Sequence, residues 1–267
     1  MQAPDTFADA HGYERFMGRW SQLAAPLLVD FARIPHHGTI LDLGCGTGSL
    51  AFAIARLRPH CEIVGVDRSS DYIAFAQSKS QEGRVRFEAA DARKLPFQAG
   101  TFDAAASLFV FNFIPDPAKA LAETRRVTRP GAYISAAVWD YGQDMQMLRL
   151  FWDAVSKLDR SAERLDERHM PLCRKGELAE LWTQENLCDV KESRLELTMK
   201  FEDYDAFWTP FLLGQGPAGA YIKCVGADCI VALREELRRM LDFPKDGFVL
   251  PARLWTVRGA VSPRRVA

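Results

Sequence analysis

The sequence predicts an α/β protein built on a doubly wound, mostly parallel sheet with helices on both faces. Three observations predict it. Between Thr39 and Trp139, short apolar segments alternate with segments of helical character. A glycine-rich turn follows the first apolar segment. Acidic residues fall at or near the carboxyl ends of the first three, where open parallel sheets bind their ligands.

The elements follow in order. Residues 13–34 carry Leu23, Leu27, Leu28 and Phe31 at helical spacing, and Pro35 and Gly38 end that helix. Thr39–Leu43 reads as the first strand and Leu50–Leu57 as a helix stopped at Pro59. Glu62–Val66 is the second strand, ending at Asp67. Ser69 or Ser70 then caps a helix over Asp71–Lys79. Arg84–Ala89 and Phe102–Leu108 are the third and fourth strands. Asp116 caps a helix with Pro117 at its first position, which runs to about Thr128 and stops at Pro130-Gly131. Ala132–Trp139 is the fifth strand.

Beyond residue 140, Asp144–Lys157 and Lys175–Gln184 read as helices and Val190–Phe201 as a strand. Asp228–Leu241 is an amphipathic helix carrying Val231, Leu233, Leu237 and Leu241, and Phe248–Val257 is a last strand. Residues 202–227 are rich in aromatics and glycines and read as a cap rather than a separate domain. The expectation is one domain over 1–267: a helical leader at 1–37, a core at 38–140, and a C-terminal part at 141–267 with the cap around 202–227.

Composition narrows the function. Lys plus Arg total 34 against 35 Asp plus Glu, a net charge of −1, so nothing asks for nucleic acid or an anionic membrane as partner. The six cysteines include no C-x-x-C pair, and Cys224 and Cys229 lack flanking histidines, so no metal set is read. Reduced, mostly buried thiols in a cytoplasmic protein are expected. The opening MQAPDTFADAHGYERF has no apolar h-region and reads as no signal peptide. No apolar run approaches the ~18 residues a membrane helix needs.

The central signal is Leu41-Asp42-Leu43-Gly44-Cys45-Gly46-Thr47-Gly48. Glycines after a first strand let the backbone turn tightly and approach a ligand. A dinucleotide fingerprint, G-x-G-x-x-G, would put its third small residue at position 49; here that is Ser49, and the third glycine is Gly48. Asp42, at the mouth of the loop, would repel a pyrophosphate in a poorly solvated cleft. It suits S-adenosylmethionine, which carries an ammonium and a sulfonium; the bland alternative is a strand-to-helix turn in which Asp42 bonds local amides. Asp67 stands 19 residues after Gly48 and can accept from both hydroxyls of a ribose. By itself it fits NAD equally well, or a plain helix cap. Asp91, in Ala89-Ala90-Asp91-Ala92, can accept from the exocyclic amine of adenine while the Ala92 amide donates to the ring; otherwise it is a surface aspartate.

LDLGCGTG, the acid in VGVDRSS, AADARKLPF and the block FDAAASLFVFNFIPDPAKALAETRRVTRPGAYI together resemble class I S-adenosylmethionine-dependent methyltransferases. The resemblance is nearest to the ubiquinone/menaquinone-biosynthesis (methyltransferase type 11) group and covers roughly residues 38–140. It implies a Rossmann-like, seven-stranded sheet with an antiparallel last strand, for which Val190–Phe201 and Phe248–Val257 are the candidate strands six and seven. It implies S-adenosyl-L-methionine as cofactor. Gly44, Cys45, Gly46 and Gly48 would form the methionine-side turn, with Asp42 near the ammonium. Asp67 would hold the ribose, Arg68 lie over the adenine, and Asp91 and Ala92 read the adenine. The backbone around Leu108 would border the methionine moiety. A small-molecule acceptor, methylated on O, N or C, is implied. The stretch between strands six and seven departs from the minimal pattern.

YERFMGRW also resembles the leader of some members. A first helix folded over the cofactor would let Arg19 pair with the methionine carboxylate, with Tyr13 beside it; the alternative is a surface arginine and a packed Trp20. Trp139, Tyr141, Trp208 and Phe211 would line an acceptor pocket or sit in the core. His169 is a remote general-base candidate. No catalytic residue is assigned, since the cofactor carries the activated group and the protein supplies alignment. Two other readings stay open: a non-catalytic module that binds the same nucleoside, and a nicotinamide-dependent oxidoreductase, which Asp42 and Ser49 disfavour.

Overall fold

Ile40, Leu41, Asp42 and Leu43 are all buried, the pattern of a strand covered on both faces. This strand, β1 (His37–Leu43), pairs in parallel with β2 (His60–Asp67) on one side and β4 (Ala104–Leu108) on the other. β3 (Val85–Ala89) continues the parallel set beyond β2, and β5 (Tyr133–Trp139) beyond β4. With β6 (Leu187–Phe201) and β7 (Phe248–Val261) the sheet has seven strands in the order β3-β2-β1-β4-β5-β7-β6. It is mixed: mostly parallel, with antiparallel last strands. The chain thus winds outward from β1 in both directions, and the reversal of strand order falls between β1 and β4. In the computed structural model, residues 9–80, 83–244 and 246–263 are described. The opening residues 1–8, part of the segment read as lacking an h-region, lie outside them.

The helices are α1 (Ala10–Tyr13), α2 (Arg19–Phe31), α3 (Ser49–Leu57), α4 (Ser70–Lys79), α5 (Pro117–Val127), α6 (Gln146–Leu158), α7 (Glu177–Gln184), α8 (Tyr204–Trp208), α9 (Gly216–Cys224) and α10 (Ala227–Met240). Caps read from the sequence are present. The Ser69 hydroxyl accepts from the Tyr72 amide, and Asp116 accepts from the Lys119 amide ahead of Pro117.

Several expectations are corrected. The single helix over 13–34 is two helices joined by a π turn at Glu14–Gly18. The face of α2 that is buried is Trp20, Ser21, Ala24, Ala25, Leu28 and Val29, while Leu23 is exposed. Large apolar residues marked the helix, but alanines supply its close-packing face. Likewise Leu233 and Leu237 of α10 are buried and Val231 is exposed. Only Cys45, Cys61 and Cys173 are buried; Cys188 and Cys224 are exposed, and none of the six is in a disulfide among the described residues. The 202–227 segment is largely helical, through α8, a 3₁₀ turn at Thr209–Leu213 and α9.

The chain folds into two compact units. The nucleus of the sheet lies in the unit formed by residues 20–138, 171–195 and 254–263. Within it Trp182 donates its indole N–H to the carbonyl of Ile134 at 3.0 Å and meets the Phe111 ring edge-on at 5.0 Å. The other unit comprises residues 9–19, 139–170 and 196–253, including the whole 202–227 segment. Its core is aromatic: Phe211 stacks on Phe151 at 4.7 Å, with Phe16 and Phe207 edge-on to Phe211. No helix among the described residues is long and apolar enough to cross a membrane.

Candidate functional site

The glycine loop is held against the strand beside it. The carbonyl of Val66 on β2 accepts from the amides of both Gly44 and Cys45, at 2.7 and 2.9 Å. Gly44, Gly46 and Gly48 all have positive φ, which glycine adopts at no steric cost. A Cβ on Gly44 would lie 2.4 Å from Cγ1 of Val110, whereas one on Gly46 would meet nothing nearer than Tyr72 at 3.8 Å. The loop is therefore sealed on the Gly44 side, whereas Gly46 has room for a methyl group. Cys45 is buried, and a Cβ on Gly65 would lie 2.9 Å from its own Cβ, so a bare Gly65 makes room for it.

Asp42 is the most unusual group here. It is fully buried, and neither carboxylate oxygen has a hydrogen-bond partner among the described residues. Its register explains why. Asp42 pairs with Gly65 on β2 and Ala106 on β4, and paired residues of a parallel sheet share a face. Both flanking side chains lack a donor. Burial pushes the Asp42 carboxyl up to about 8; the Ala51 amide at the start of α3 opposes that, though it completes no hydrogen bond, and Asp67 adds to it. An orphaned acid of this kind is costly unless a cationic or donor group meets it.

Asp67 ends β2 and ties the site together. One oxygen accepts from the Gly46 amide at 3.0 Å and the other from the Ser69 amide at 2.9 Å. Burial raises its pKa, opposed by the Ser69 and Gly46 amides. Each oxygen has a second lone pair, so binding a diol and bracing the loop are compatible. Arg68 beside it is exposed.

Asp91 is exposed and bound to Arg93, whose guanidinium and amide hold it down to about 2, the guanidinium hydrogen bond being the larger influence. Ala92 is half-buried and Leu108 buried at the end of β4. The structure therefore brings Asp42, Gly44, Cys45, Gly46, Gly48 and Asp67 together around one loop. Asp91, Ala92 and Leu108 stand at or just past the ends of β3 and β4 in the same unit.

Tyr13 and Arg19 belong to the other unit. Arg19 is half-buried rather than on the surface: it donates to the Ala206 carbonyl at 3.2 Å and lies over the Phe201 ring at 4.9 Å. Trp139, Tyr141, Trp208 and Phe211 are buried, and Trp208 and Phe211 pack on each other at 6.3 Å as core. His169 is exposed at the end of a 3₁₀ turn. No group of three or more metal-ligating side chains occurs among the described residues.

One residue of this region was not singled out from the sequence. Asn112 sits in the 3₁₀ turn Phe111–Phe113 after β4, buried, and both its amide atoms lack a hydrogen-bond partner among the described residues. The available signal was a lone polar residue in the otherwise apolar run Leu108–Ile114.

The strand order gives a mixed seven-stranded α/β fold of the Rossmann-like kind found in solved methyltransferase structures. Residues 41–136 match the family described as Methyltransferase domain, which is the class that the sequence motifs resemble. A demethylmenaquinone methyltransferase of Thermus thermophilus is 41% identical over 115 residues, 42% of this chain and 50% of that one. A tRNA (carboxymethyluridine(34)-5-O)-methyltransferase of Arabidopsis thaliana is 32% identical over 155 residues, 57% of this chain and 35% of that one. The chain spans about half or less of the length of these curated relatives. Among solved structures, a phosphoethanolamine N-methyltransferase 2 of Haemonchus contortus in complex with S-adenosyl-L-methionine has a TM-score of 0.60. It is 17% identical and covers 95% of this chain and 57% of that one, a likeness of fold.

Proposed function

We propose that this protein is an S-adenosyl-L-methionine-dependent methyltransferase acting on a small-molecule acceptor. The observation that carries the reading is the buried carboxylate of Asp42, without a hydrogen-bond partner among the described residues, beside a glycine loop with room at Gly46. A zwitterion with an ammonium answers that acid, and a pyrophosphate does not. The residues present fit the cofactor. Asp67 would hold the ribose hydroxyls, Asp42 would face the ammonium, and the Gly44–Gly48 turn, with Cys45, would lie along the methionine side. Asp91 and Ala92 would meet the adenine, with Arg68 across its face and Leu108 bordering the methionine.

When bound, the cofactor supplies an already activated methyl group that an acceptor takes by in-line displacement, leaving S-adenosylhomocysteine. The chain's own part is to fix the ligand and exclude water, so no general base is assigned. The acidic-to-basic balance of 35 to 34 supports a small acceptor over a polyanion. Six cysteines without a disulfide among the described residues suit a reducing, cytoplasmic compartment.

Calorimetric titration with S-adenosylhomocysteine and with NAD tests the cofactor reading. Binding of the first and not the second is expected; the reverse overturns it. Acceptor assays with a quinone-precursor and phosphoamine panel beside bulk tRNA then separate the acceptor classes. In the same titration, Asp67→Ala is expected to weaken S-adenosylhomocysteine by about 1–3 kcal/mol through lost charged hydrogen bonds. Unchanged affinity would remove Asp67 from the ribose.

A further inference from the structure

We propose that Asn112 binds the amino-acid end of the nucleoside ligand, its amide oxygen accepting from the ammonium and its amide nitrogen donating to the carboxylate. This rests on the S-adenosylmethionine reading above and assigns a residue to its far end.

The first ground is an unmet polar group. Asn112 is 4% exposed, and neither Nδ2 nor Oδ1 has a hydrogen-bond partner among the described residues. Buried amides in folded proteins are paired with protein, water or ligand, so one with both ends open asks for a partner. The second is that its turn is fixed in place. Phe109 has a φ of 64°, unusual for a non-glycine residue, and its amide donates to the Ala137 carbonyl at 2.8 Å. The Phe113 amide closes the turn on the Val110 carbonyl at 2.8 Å, and Phe111 is anchored on Trp182.

The third is position. The Val110 side chain seals the glycine loop at Gly44, so the turn that carries Asn112 adjoins that loop. Along the sheet, Asp91 follows β3, Asp67 ends β2, the glycine loop follows β1 and the Asn112 turn follows β4, and these four strands are neighbours in that order. A nucleoside with its adenine toward Asp91 and its ribose on Asp67 reaches β4 with its amino-acid end.

The fourth is chemical match. An amino-acid end needs one acceptor for its ammonium and one donor for its carboxylate. A primary amide offers both, whereas a carboxylate offers acceptors alone. Asp42, whose buried carboxylate oxygens also have no hydrogen-bond partner among the described residues, then balances the ammonium charge, and Asn112 adds directed contacts without adding charge.

The test is calorimetry on the full chain with two probes: S-adenosylhomocysteine, and 5′-deoxy-5′-methylthioadenosine, which keeps the nucleoside and thioether but lacks the amino-acid end. Asn112→Ala is expected to weaken S-adenosylhomocysteine about tenfold or more and to leave the truncated probe within about twofold of the unmodified chain. Asn112→Leu keeps nearly the same size and removes both the donors and the acceptor without adding a charge, so it is expected to show the same selective loss. It also keeps the test alive should the alanine variant fail to fold. Wild-type affinity of either folded variant for S-adenosylhomocysteine would overturn the assignment and point Asn112 toward the acceptor. An equal loss for both probes would overturn it as a general structural effect. Failure of the unmodified chain to bind either probe would instead sink the nucleoside reading itself.

Discussion

Asp42→Asn is expected to stabilise the ligand-free protein at neutral and alkaline pH while it weakens binding of S-adenosylhomocysteine. Burial lifts the Asp42 carboxyl to about 8 in the folded chain, against roughly 4 when unfolded. Between those values the folded state holds the proton more tightly, so stability falls as pH rises from about 4 through 8. Asparagine resembles the protonated acid and does not carry that penalty. The stability gap between variant and parent should therefore be small near pH 4 and reach about 1–3 kcal/mol above pH 8. Urea unfolding at pH 4.5 and 8.5 checks it; equal stabilities at pH 8.5 would mean that the acid is not a buried burden. The ligand's ammonium would favour the anion, so affinity in the parent should climb between pH 6 and 8, and Asp42→Asn should flatten that climb.

Gly44→Ala is the second large effect. The position has a φ of 69°, and the added methyl would lie 2.4 Å from Val110. Left-handed strain of about 1–2 kcal/mol adds to overpacking of about 1–3 kcal/mol, so a loss of about 2–5 kcal/mol is expected. Gly46→Ala is the informative contrast. Its φ is 51°, but the nearest atom is 3.8 Å away, so only the strain of about 1–2 kcal/mol applies. Its methyl would instead stand on the roomier side of the loop, where the proposed ligand lies, so binding should fall further than stability does. Denaturation and titration of the two variants together separate a packing glycine from a ligand-facing one; matched stability losses would contradict the described loop.

The strands were legible because burial on both faces leaves a run such as Ile40–Leu43 with little choice, and because Gly44–Gly48 and Asp67 are local signals. The caps of α4 and α5 were legible for the same reason: Ser69 and Asp116 act within three residues of themselves. What was hidden depends on partners distant in sequence. Nothing local says that Ala24 and Ala25 pack while Leu23 faces solvent, since that follows from what α2 lies against. The π turn at Glu14–Gly18 has no composition signature. The pairing of Asp91 with Arg93, two residues on, could have been suspected from spacing. Asn112 could not be ranked, because its unmet amide exists only once Val110 is seated against Gly44 and Phe111 against Trp182.

A crystal structure of the chain grown with S-adenosylhomocysteine tests the central claim most directly. The ligand should lie across the ends of β3, β2, β1 and β4, with both ribose hydroxyls on Asp67 and its amino group within reach of Asp42. A nucleoside bound elsewhere, with Asp67 holding only the Gly46 and Ser69 amides and Asp42 still alone, would contradict it.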